Sequence, residues 1–420
     1  NPGLISHNEI LEMYKELVDP KFTWENFSIE EQAKILDSDR SNNFLDTTRL
    51  ESLYQVKHIK DSVRELLQNY KRDLSIKKAI STDFPNSKDT VLLVTGGSGF
   101  IALHCIAELL KQNFSVRTSL RSMNRKDEII ESLSKEVNIN NNLEFCSLDL
   151  LKDDGWDDAS KDCTYVLHVA SPILTKDPDP NTLIKPAVEG LMRALKSSIK
   201  NNVKRFVMTS SVAAISRGTI KEWYDENDWS DVNSKIINSY SISKTMAEKS
   251  LWDHMESLDE KERIEVCTIN PTFVIGKSLS KDIGASNLII KKILDGSMPF
   301  LPKLNLGIVD VIDVAKMHIK AMITESANNK RFLLCTKNMW YNDVANLLNQ
   351  NGYKAPKLTA PNLLIKFFAL FNPTIKPFVK SLGIEQKYRN DQAKDILRWE
   401  PSNIENSILS IAKQIQELKK

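Results

Sequence analysis

A tyrosine and a lysine stand four residues apart in the stretch SYSISKTMAEKSLW, residues 239 to 252, as Tyr240 and Lys244. The surrounding pattern predicts a helix, and positions four apart share one helix face. A free tyrosine has a pKa near ~10, and a nearby ammonium group lowers that pKa by favouring the phenolate. The pair could therefore transfer a proton near neutral pH. Such a pair on its own is more often structural than catalytic.

The same spacing recurs at Tyr353 and Lys357, where Pro356 prevents the two side chains from sharing a helix face. The first pair gains weight from Ser211, which follows the β-rich run RFVMTS. If that run is a parallel strand, Ser211 lies at the carboxyl edge of the sheet, where ligands bind in open α/β folds. A serine hydroxyl there can hydrogen-bond a carbonyl oxygen while the tyrosine delivers a proton. Ser211, Tyr240 and Lys244 are therefore the predicted catalytic residues.

A glycine-rich turn lies in VLLVTGGSGFIALHCIAELL, residues 91 to 110, between an apolar strand pattern and a helix pattern. Gly96, Gly97 and Gly99 would let the backbone turn tightly and approach a pyrophosphate at the helix N-terminus. Ala102 stands where a third glycine is common and is small enough for close packing of helix on sheet. The order of strand, glycines and helix favours dinucleotide binding over a plain strand-to-helix turn.

The end of the second predicted strand distinguishes between dinucleotides. An acidic residue there would bind the ribose 2′-hydroxyl of NAD. The sequence SVRTSLRSMNRK, residues 115 to 126, instead carries Arg117, Arg121, Arg125 and Lys126 and no acid. A guanidinium can bind the 2′-phosphate of NADP through paired hydrogen bonds, so we predict that NADPH is preferred over NADH. The alternative is a solvated basic turn. Asp149 ends the third strand and is placed to reach the adenine end.

Composition excludes several other classes of protein. The 420 residues are 41% hydrophobic and 27% charged, with 57 basic and 55 acidic side chains, so no nucleic-acid partner is expected. Five scattered cysteines predict neither disulfides nor a zinc site but buried thiols in a reducing compartment. The first thirty residues lack a long apolar core, which favours a cytoplasmic protein. The run LLIKFFALF, 363 to 371, is too short to span a membrane and is predicted to be a packed helix.

The order of elements predicts an α/β fold. From residue 90, short β-rich runs alternate with amphipathic helical segments, which indicates a doubly wound parallel sheet of the Rossmann type. Residues 90–276 would form this domain and carry the catalytic residues, and residues 277–420 would form mainly a smaller substrate-binding lobe. Residues 1–74 are predicted to be a helical extension, with capping boxes at Ser6–Glu9 and Ser28–Glu31. Residues 75–89 would be the linker.

Residues 90 to about 418 resemble the extended short-chain dehydrogenase/reductase superfamily. Within it they are most similar to the group of dihydroflavonol 4-reductase, cinnamoyl-CoA reductase and aldehyde reductases. The matching segments follow one another in order: TGGSGFIA, VRTSLR, Asp149-Leu150, HVASP, KPAVEGLMRAL, VKRFVMTSSVAA, YSISKTMAEKSLWD, INPTFVIG and VDVIDVAKMHI.

The resemblance implies that Ser211, Tyr240 and Lys244 occupy the catalytic positions and that the last two also contact the cofactor. It also implies that residues 217–238 vary with the substrate. The further positions expected to bind the cofactor are Gly96, Gly99, Phe100, Ile101, Arg121, Lys126, Asp149, Leu150, Ala170, Ser171 and Pro271. Lys277 replaces the proline of many relatives, which puts the shape of that loop in question.

Residues 1–74 are similar to a different family, the C-terminal end of rhamnose-type nucleotide-sugar 3,5-epimerase/4-reductases. In that family the segment completes a substrate lobe behind its own glycine-rich loop. Our hypothesis is that this region is the remnant of an upstream reductase, either truncated in this sequence or left by gene fusion. Sequencing the transcript across its 5′ end tests this, since an immediate stop codon upstream would leave only a remnant.

These observations predict an NADPH-dependent reductase that converts a carbonyl group of an aldehyde, a ketone or a flavanonol-like compound to an alcohol. Two enzymatic alternatives remain. One is a nucleotide-sugar epimerase, dehydratase or reductase, and the other is a 3β-hydroxysteroid type of dehydrogenase running the reverse reaction. A non-catalytic dinucleotide-binding redox sensor is a third alternative. The expected partner is a small-molecule carbonyl substrate, with no metal, no nucleic acid, no membrane, and a monomeric or homodimeric state.

Overall fold

The computed structural model describes residues 3–26, 31, 46–53, 56–68, 90–139, 141–172, 180–371, 379 and 381–418. The chain divides into two compact units, Asn1–Phe84 and Pro85–Lys420. The predicted linker, 75–89, and Ser28 of the second predicted capping box lie outside the described residues.

The described part of the first unit is helical, with α1 at His7–Leu17, α2 at Thr48–Leu53 and α3 at 59–68. The first predicted capping box is confirmed. The Ser6 N–H donates to Glu9 Oε2 at 2.7 Å, and the Glu9 N–H donates to Ser6 Oγ at 3.2 Å. These two bonds satisfy N–H groups that have no partner within the helix, and so fix where α1 begins.

The second unit alternates strands and helices. Its strands are β1 (Val91–Thr95), β2 (Ser115–Leu120), β3 (Leu143–Ser147), β4 (Tyr165–His168), β5 (Arg205–Thr209), β6 (Trp223–Tyr224), β7 (Glu265–Pro271), β8 (Phe273–Ile275), β9 (Asn305–Asp310), β10 (Lys330–Leu334), β11 (Lys337–Trp340) and β12 (Lys387–Tyr388). Its α-helices are α4 (Phe100–Lys111), α5 (Lys126–Ser134), α6 (Trp156–Ser160), α7 (Pro180–Lys200), α8 (Ser239–Ser257), α9 (Leu288–Leu294), α10 (Val311–Ile323), α11 (Tyr341–Gln350), α12 (Asn362–Ala369), α13 (Asp391–Leu397) and α14 (Ile404–Glu417).

Seven strands form one sheet in the order β10-β7-β5-β4-β1-β2-β3. Every neighbouring pair in it is parallel. All residues of β4 and β5 are buried, as expected where helices cover both faces of a parallel sheet. The predicted doubly wound α/β fold is confirmed.

The strand order reverses between β1 and β4, which lie side by side although two strands separate them in sequence. The Thr95 hydroxyl at the end of β1 accepts hydrogen bonds from the N–H groups of Val169 and Ala170, at 3.1 and 3.0 Å. One side chain therefore holds the two strand ends together at the switch point, where ligands bind in this class of fold.

The segment EVCTINPTFVI, residues 265 to 275, forms two strands. Strand β7 ends at Pro271, and β8 begins at Phe273 in a separate three-stranded sheet with β9 and β11. The chain then returns to the large sheet as β10, within the range predicted to form mainly a substrate lobe. Both the N–H and the hydroxyl of Thr272 donate to the Leu334 carbonyl at 3.0 Å. These bonds join the two places where the chain leaves the large sheet for the small one, after β7 and after β10.

The apolar run at 363–371 is helical but not packed as predicted. Helix α12 exposes Leu363 and Phe367, and Phe371 just beyond it is also exposed. Apolar composition alone did not show which face of this helix would be covered. In the described residues, no helix is long and apolar enough to span a membrane.

Arg205 at the start of β5 is 2% exposed and anchors the end of helix α10. Its Nε donates to Glu265 Oε2 at 2.9 Å. Its terminal nitrogens donate to four carbonyl groups near the C-terminus of α10, those of Ala321, Met322, Thr324 and Glu325. One buried cation thus satisfies carbonyl groups that the helix itself leaves unpaired.

Replacing Arg205 should therefore destabilise the fold strongly. We expect Arg205→Met to lower the free energy of unfolding by about 3–5 kcal/mol, because Glu265 and the helix carbonyls lose their partner. Urea unfolding of the purified chain measures this. The control is Arg263→Met, which removes an exposed arginine that also bonds two carbonyls and should change the free energy by about 1 kcal/mol or less. Equal losses in the two variants would contradict the anchoring role.

Candidate active site

The glycine-rich turn joins β1 to α4 in a conformation that suits glycine. Gly96 has φ +74°, and a Cβ there would lie 2.9 Å from the Ala170 Cα. A Cβ on Gly97 would overlap the Thr118 hydroxyl. The Gly97 N–H donates to the Ser119 carbonyl at 2.8 Å, and the Gly99 N–H donates to the Gly96 carbonyl at 2.8 Å. The turn is therefore fixed, and it leaves the first-turn N–H groups of α4 free to bind an anion.

The four basic residues in and just after β2 have different surroundings. Arg117 donates to Glu144 Oε2 at 3.1 Å and to backbone carbonyls near the end of α6. Arg125 pairs with both carboxylate oxygens of Glu128, at 3.0 and 3.1 Å, and Lys126 lies over the Phe145 ring. Arg121 is exposed at the end of β2 and contacts no carboxylate in the described residues. It is the member of this group best placed to meet a phosphate.

The other predicted cofactor positions lie at the same carboxyl edge or just beyond it. Phe100 and Ile101 form the first turn of α4, Ala170 and Ser171 follow β4, and Pro271 ends β7. Asp149 and Leu150 follow β3, where the Asp149 carboxylate accepts from the Leu151 N–H at 3.0 Å. The fold therefore brings residues from four strands to one edge, as a dinucleotide site requires. Their individual roles stay predictions.

The predicted catalytic residues come together beyond the end of β5. Ser211 caps a short 3-10 helix, Val212–Ala214, by accepting from the Ala213 N–H at 3.1 Å. Helix α8 begins beside it with Asn238 as its cap, which places Tyr240 in the first turn. The Ser211 side chain lies close enough to the Tyr240 hydroxyl to act on its pKa. Lys244 lies one turn further along, buried, and its Nζ donates to the Thr209 carbonyl at 3.4 Å.

The electrostatics of Tyr240 differ from the sequence-based expectation. Burial raises the pKa of Tyr240, while the hydrogen bond from Ser211 and the charge of Arg217 act to lower it. We expected the opposite net direction, with Lys244 as the cause. Removal from water outweighs the favourable contacts, because a phenolate loses its hydration when buried. The basic residue that stabilises the phenolate is Arg217, which the sequence pattern did not single out.

Lys244 is itself perturbed. Burial lowers the pKa of its ammonium group to about 8, while the carboxylate of Glu248 acts to raise it. Glu248 follows Lys244 by one helical turn and is fully buried. Lys244 can therefore change its charge within a pH range where an ordinary lysine stays protonated.

Glu248 is the hub of a buried polar network that the sequence analysis missed. Its carboxylate accepts from Ser210, next to Ser211, and from Thr268 and Asn270 on β7, at 2.5, 3.0 and 2.7 Å. It also pairs with Arg331 on β10 at 2.6 Å. The spacing Tyr240, Lys244, Glu248, which puts all three on one face of α8, was the available signal.

The sequence profile of the NAD dependent epimerase/dehydratase family matches residues 92–335, more than half of the chain. The chain belongs to this family. The match begins in β1 and ends just after β10, so it spans the seven-stranded sheet, the glycine turn and the Ser211–Tyr240–Lys244 cluster.

Individual relatives are reductases. The cinnamoyl-CoA reductase CAD2 of Medicago truncatula is 31% identical over 305 residues, covering 70% of this chain and 90% of that protein. The anthocyanidin reductase of Vitis vinifera is 29% identical over 299 residues, covering 66% of this chain and 86% of that protein. The predicted resemblance to this group of reductases is confirmed.

A solved structure extends the likeness. Gre2 of Candida albicans in complex with NADPH has a TM-score of 0.65 and 26% identity, covering 79% of this chain and all of that one. With the family match, these relatives support an NAD(P)-dependent oxidoreductase, as predicted.

The depressed pKa of Lys244 predicts a pH-dependent stability. Between about 8 and the ordinary 10.5, the unfolded chain holds a proton that the folded chain has released, so stability rises with pH over this window. Lys244→Met removes the group. The stability of the wild type relative to this variant should therefore increase by roughly 3 kcal/mol from pH 7 to 10.5.

Urea unfolding at several pH values measures this difference. The control is Lys249→Met, which removes an exposed lysine from the same helix. Titrations elsewhere in the chain cancel when each variant is compared with the wild type. The same pH dependence for both variants would contradict the assignment to Lys244.

Proposed function

We propose that the chain is an NADPH-dependent reductase that converts a carbonyl group of a small molecule to an alcohol. The observation that carries the proposal is the placement of Ser211 and Tyr240 next to each other at the carboxyl edge, with Lys244 one helical turn further along. The glycine turn between β1 and α4 lies on the same edge, so a dinucleotide bound there would run toward this pair.

Three residues of the chain would have separate roles in the reduction. The Ser211 hydroxyl donates a hydrogen bond to the substrate oxygen and so polarises the carbonyl. Tyr240 gives its proton to that oxygen as negative charge develops on it, and then regains a proton from solvent. Lys244 would bind the nicotinamide ribose. When bound, the nicotinamide supplies the hydride that adds to the carbonyl carbon.

Burial of the pair has a consequence for this chemistry. Because the pKa of Tyr240 is raised, the hydroxyl stays protonated at neutral pH and is ready to act as an acid. A proton donor is what reduction needs. The protonated hydroxyl can therefore supply the proton that carbonyl reduction consumes.

The fit of the residues supports the cofactor. The glycine positions leave no room for a side chain against Ala170 and Thr118, so the backbone itself forms the wall that a pyrophosphate would meet. Arg121 supplies an exposed guanidinium where a 2′-phosphate would lie. The structure of Gre2 from Candida albicans is a complex with NADPH, which agrees with this choice of dinucleotide.

Replacing Tyr240 tests the proton donor. We expect Tyr240→Phe to lower kcat for NADPH-dependent reduction by about 10²- to 10⁴-fold while NADPH affinity changes little, because only the proton is lost. The assay follows NADPH oxidation with a panel of aldehydes, diketones and flavanonols. Tyr353→Phe, in the copy of the spacing that Pro356 interrupts, is the matched control and should keep full turnover. Undiminished turnover in Tyr240→Phe would show that the donor has been misassigned.

Replacing Arg121 tests the cofactor preference. Loss of a hydrogen bond between charged groups corresponds to about 10- to 100-fold in affinity, so Arg121→Gln should weaken NADPH binding by that factor and leave NADH binding unchanged. Fluorescence titration of each dinucleotide gives the two dissociation constants. Arg125→Gln is the control, because Arg125 is already paired with Glu128. An unchanged ratio of the two constants in Arg121→Gln would rule out the 2′-phosphate role.

A further inference from the structure

Arg217 is a partly buried cation beside the predicted proton donor. It follows the 3-10 helix that begins at Ser211, and its charge acts on the Tyr240 hydroxyl. Its backbone is fixed, because its N–H donates to Ser230 Oγ at 2.7 Å and its carbonyl accepts from the Asp231 N–H at 2.9 Å. The main chain of Arg217 therefore has a fixed place just beyond the 3-10 helix.

The partners of this guanidinium are neutral. Arg217 donates to the amide oxygen of Gln386 at 2.7 Å, and Tyr388 donates to the same oxygen at 3.2 Å. Gln386 in turn donates to the Ser216 carbonyl at 3.4 Å. In the described residues, no carboxylate lies within ion-pair distance of Arg217. A polar but uncharged support orients the guanidinium without neutralising it.

The acidic residues nearest in sequence have other partners, among them Glu226, which accepts from the Leu333 N–H at 3.3 Å. Asp228 pairs with Lys221, and Glu222 pairs with Lys387 at 3.1 Å. Asp225 and Asp231 each accept from a backbone N–H two residues ahead, at 2.8 and 3.0 Å. The uncompensated charge of Arg217 is thus a property of the site. A partly buried guanidinium without a counter-ion binds carboxylates strongly, since two parallel hydrogen bonds match its geometry.

We propose that Arg217, oriented by Gln386, binds a carboxylate group of the substrate, so that oxo acids are reduced in preference to their neutral esters. This assignment rests on the proposed reductase function and names the substrate class for it. Arg217 would hold the carboxylate while Ser211 and Tyr240 bind the carbonyl oxygen of the same molecule. The positive charge also favours the phenolate left on Tyr240 after proton transfer.

The test compares 2-oxo, 4-oxo and 5-oxo carboxylic acids with their methyl esters, using NADPH and the full chain. In the wild type, kcat/KM should be at least about 10-fold higher for an acid than for its ester. Arg217→Gln should lower the ratio of kcat/KM for the acid to kcat/KM for the ester by about 10- to 100-fold and leave NADPH affinity within about 2-fold. An equal loss for acid and ester would show that Arg217 does not bind the carboxylate and would overturn the proposal.

Two further variants keep the test decisive if Arg217→Gln folds poorly. Gln386→Glu places a carboxylate on the guanidinium and should remove the preference for acids while turnover of esters continues. Arg389→Gln is the matched control, because it removes an exposed guanidinium three residues after Gln386. That guanidinium lies 5.4 Å from the centre of the Trp223 ring. This control should retain the preference. A preference that persists in Gln386→Glu would contradict the proposal.

A binding measurement separates this assignment from the proposed reduction. Oxamate, a carboxylate that these enzymes would not reduce, is titrated into the NADPH complex and followed by nucleotide fluorescence. Oxamate binding that is lost in Arg217→Gln, with no carbonyl compound reduced, would support the anion site and refute the reductase function. Reduction of neutral carbonyls together with no binding of oxamate or oxo acids would refute the anion site and leave the reductase function standing.

Discussion

The position of the predicted catalytic helix depends on one buried carboxylate, that of Glu248. It is fully buried and contacts the strand end beside Ser211, two residues of β7 and the Arg331 guanidinium of β10. An unpaired buried charge costs several kcal/mol, so the helix and the strands must keep the arrangement that satisfies it. Glu248 shares a helix face with Tyr240 and Lys244. The ion pair between Glu248 and Arg331 therefore also fixes the position of Tyr240 along the edge of the sheet.

Burial is the main influence on the charge states around the site. Burial acts against both the phenolate of Tyr240 and the ammonium of Lys244, while Glu248 supports the latter. The result is a protonated acid next to a lysine whose pKa is about 8, close to the range in which enzymes operate. The sequence motif alone implies a simpler arrangement, in which the lysine lowers the pKa of the tyrosine. The motif does not include the loss of hydration, which raises the pKa of a buried tyrosine.

The sequence predicted the features that arise from local pattern. The strand ending at Thr95, the glycine turn and the helix from Phe100 were recognisable, because apolar periodicity and glycine placement are local properties. So was the capping box at Ser6. The return of Lys330–Leu334 to the large sheet was not, since pairing with β7 depends on contacts about sixty residues apart. Nor was the absence of a carboxylate beside Arg217 in the described residues, since that depends on where each nearby acidic side chain is directed.

The passage between the two sheets has a consequence for where the smaller sheet can lie. The chain leaves the seven-stranded sheet twice at its carboxyl edge, after β7 to form β8 and after β10 to form β11. Thr272 bonds Leu334 directly, so these two exits are joined to each other. The three-stranded sheet therefore starts from one fixed place, on the same edge of the large sheet that carries the glycine turn and Ser211.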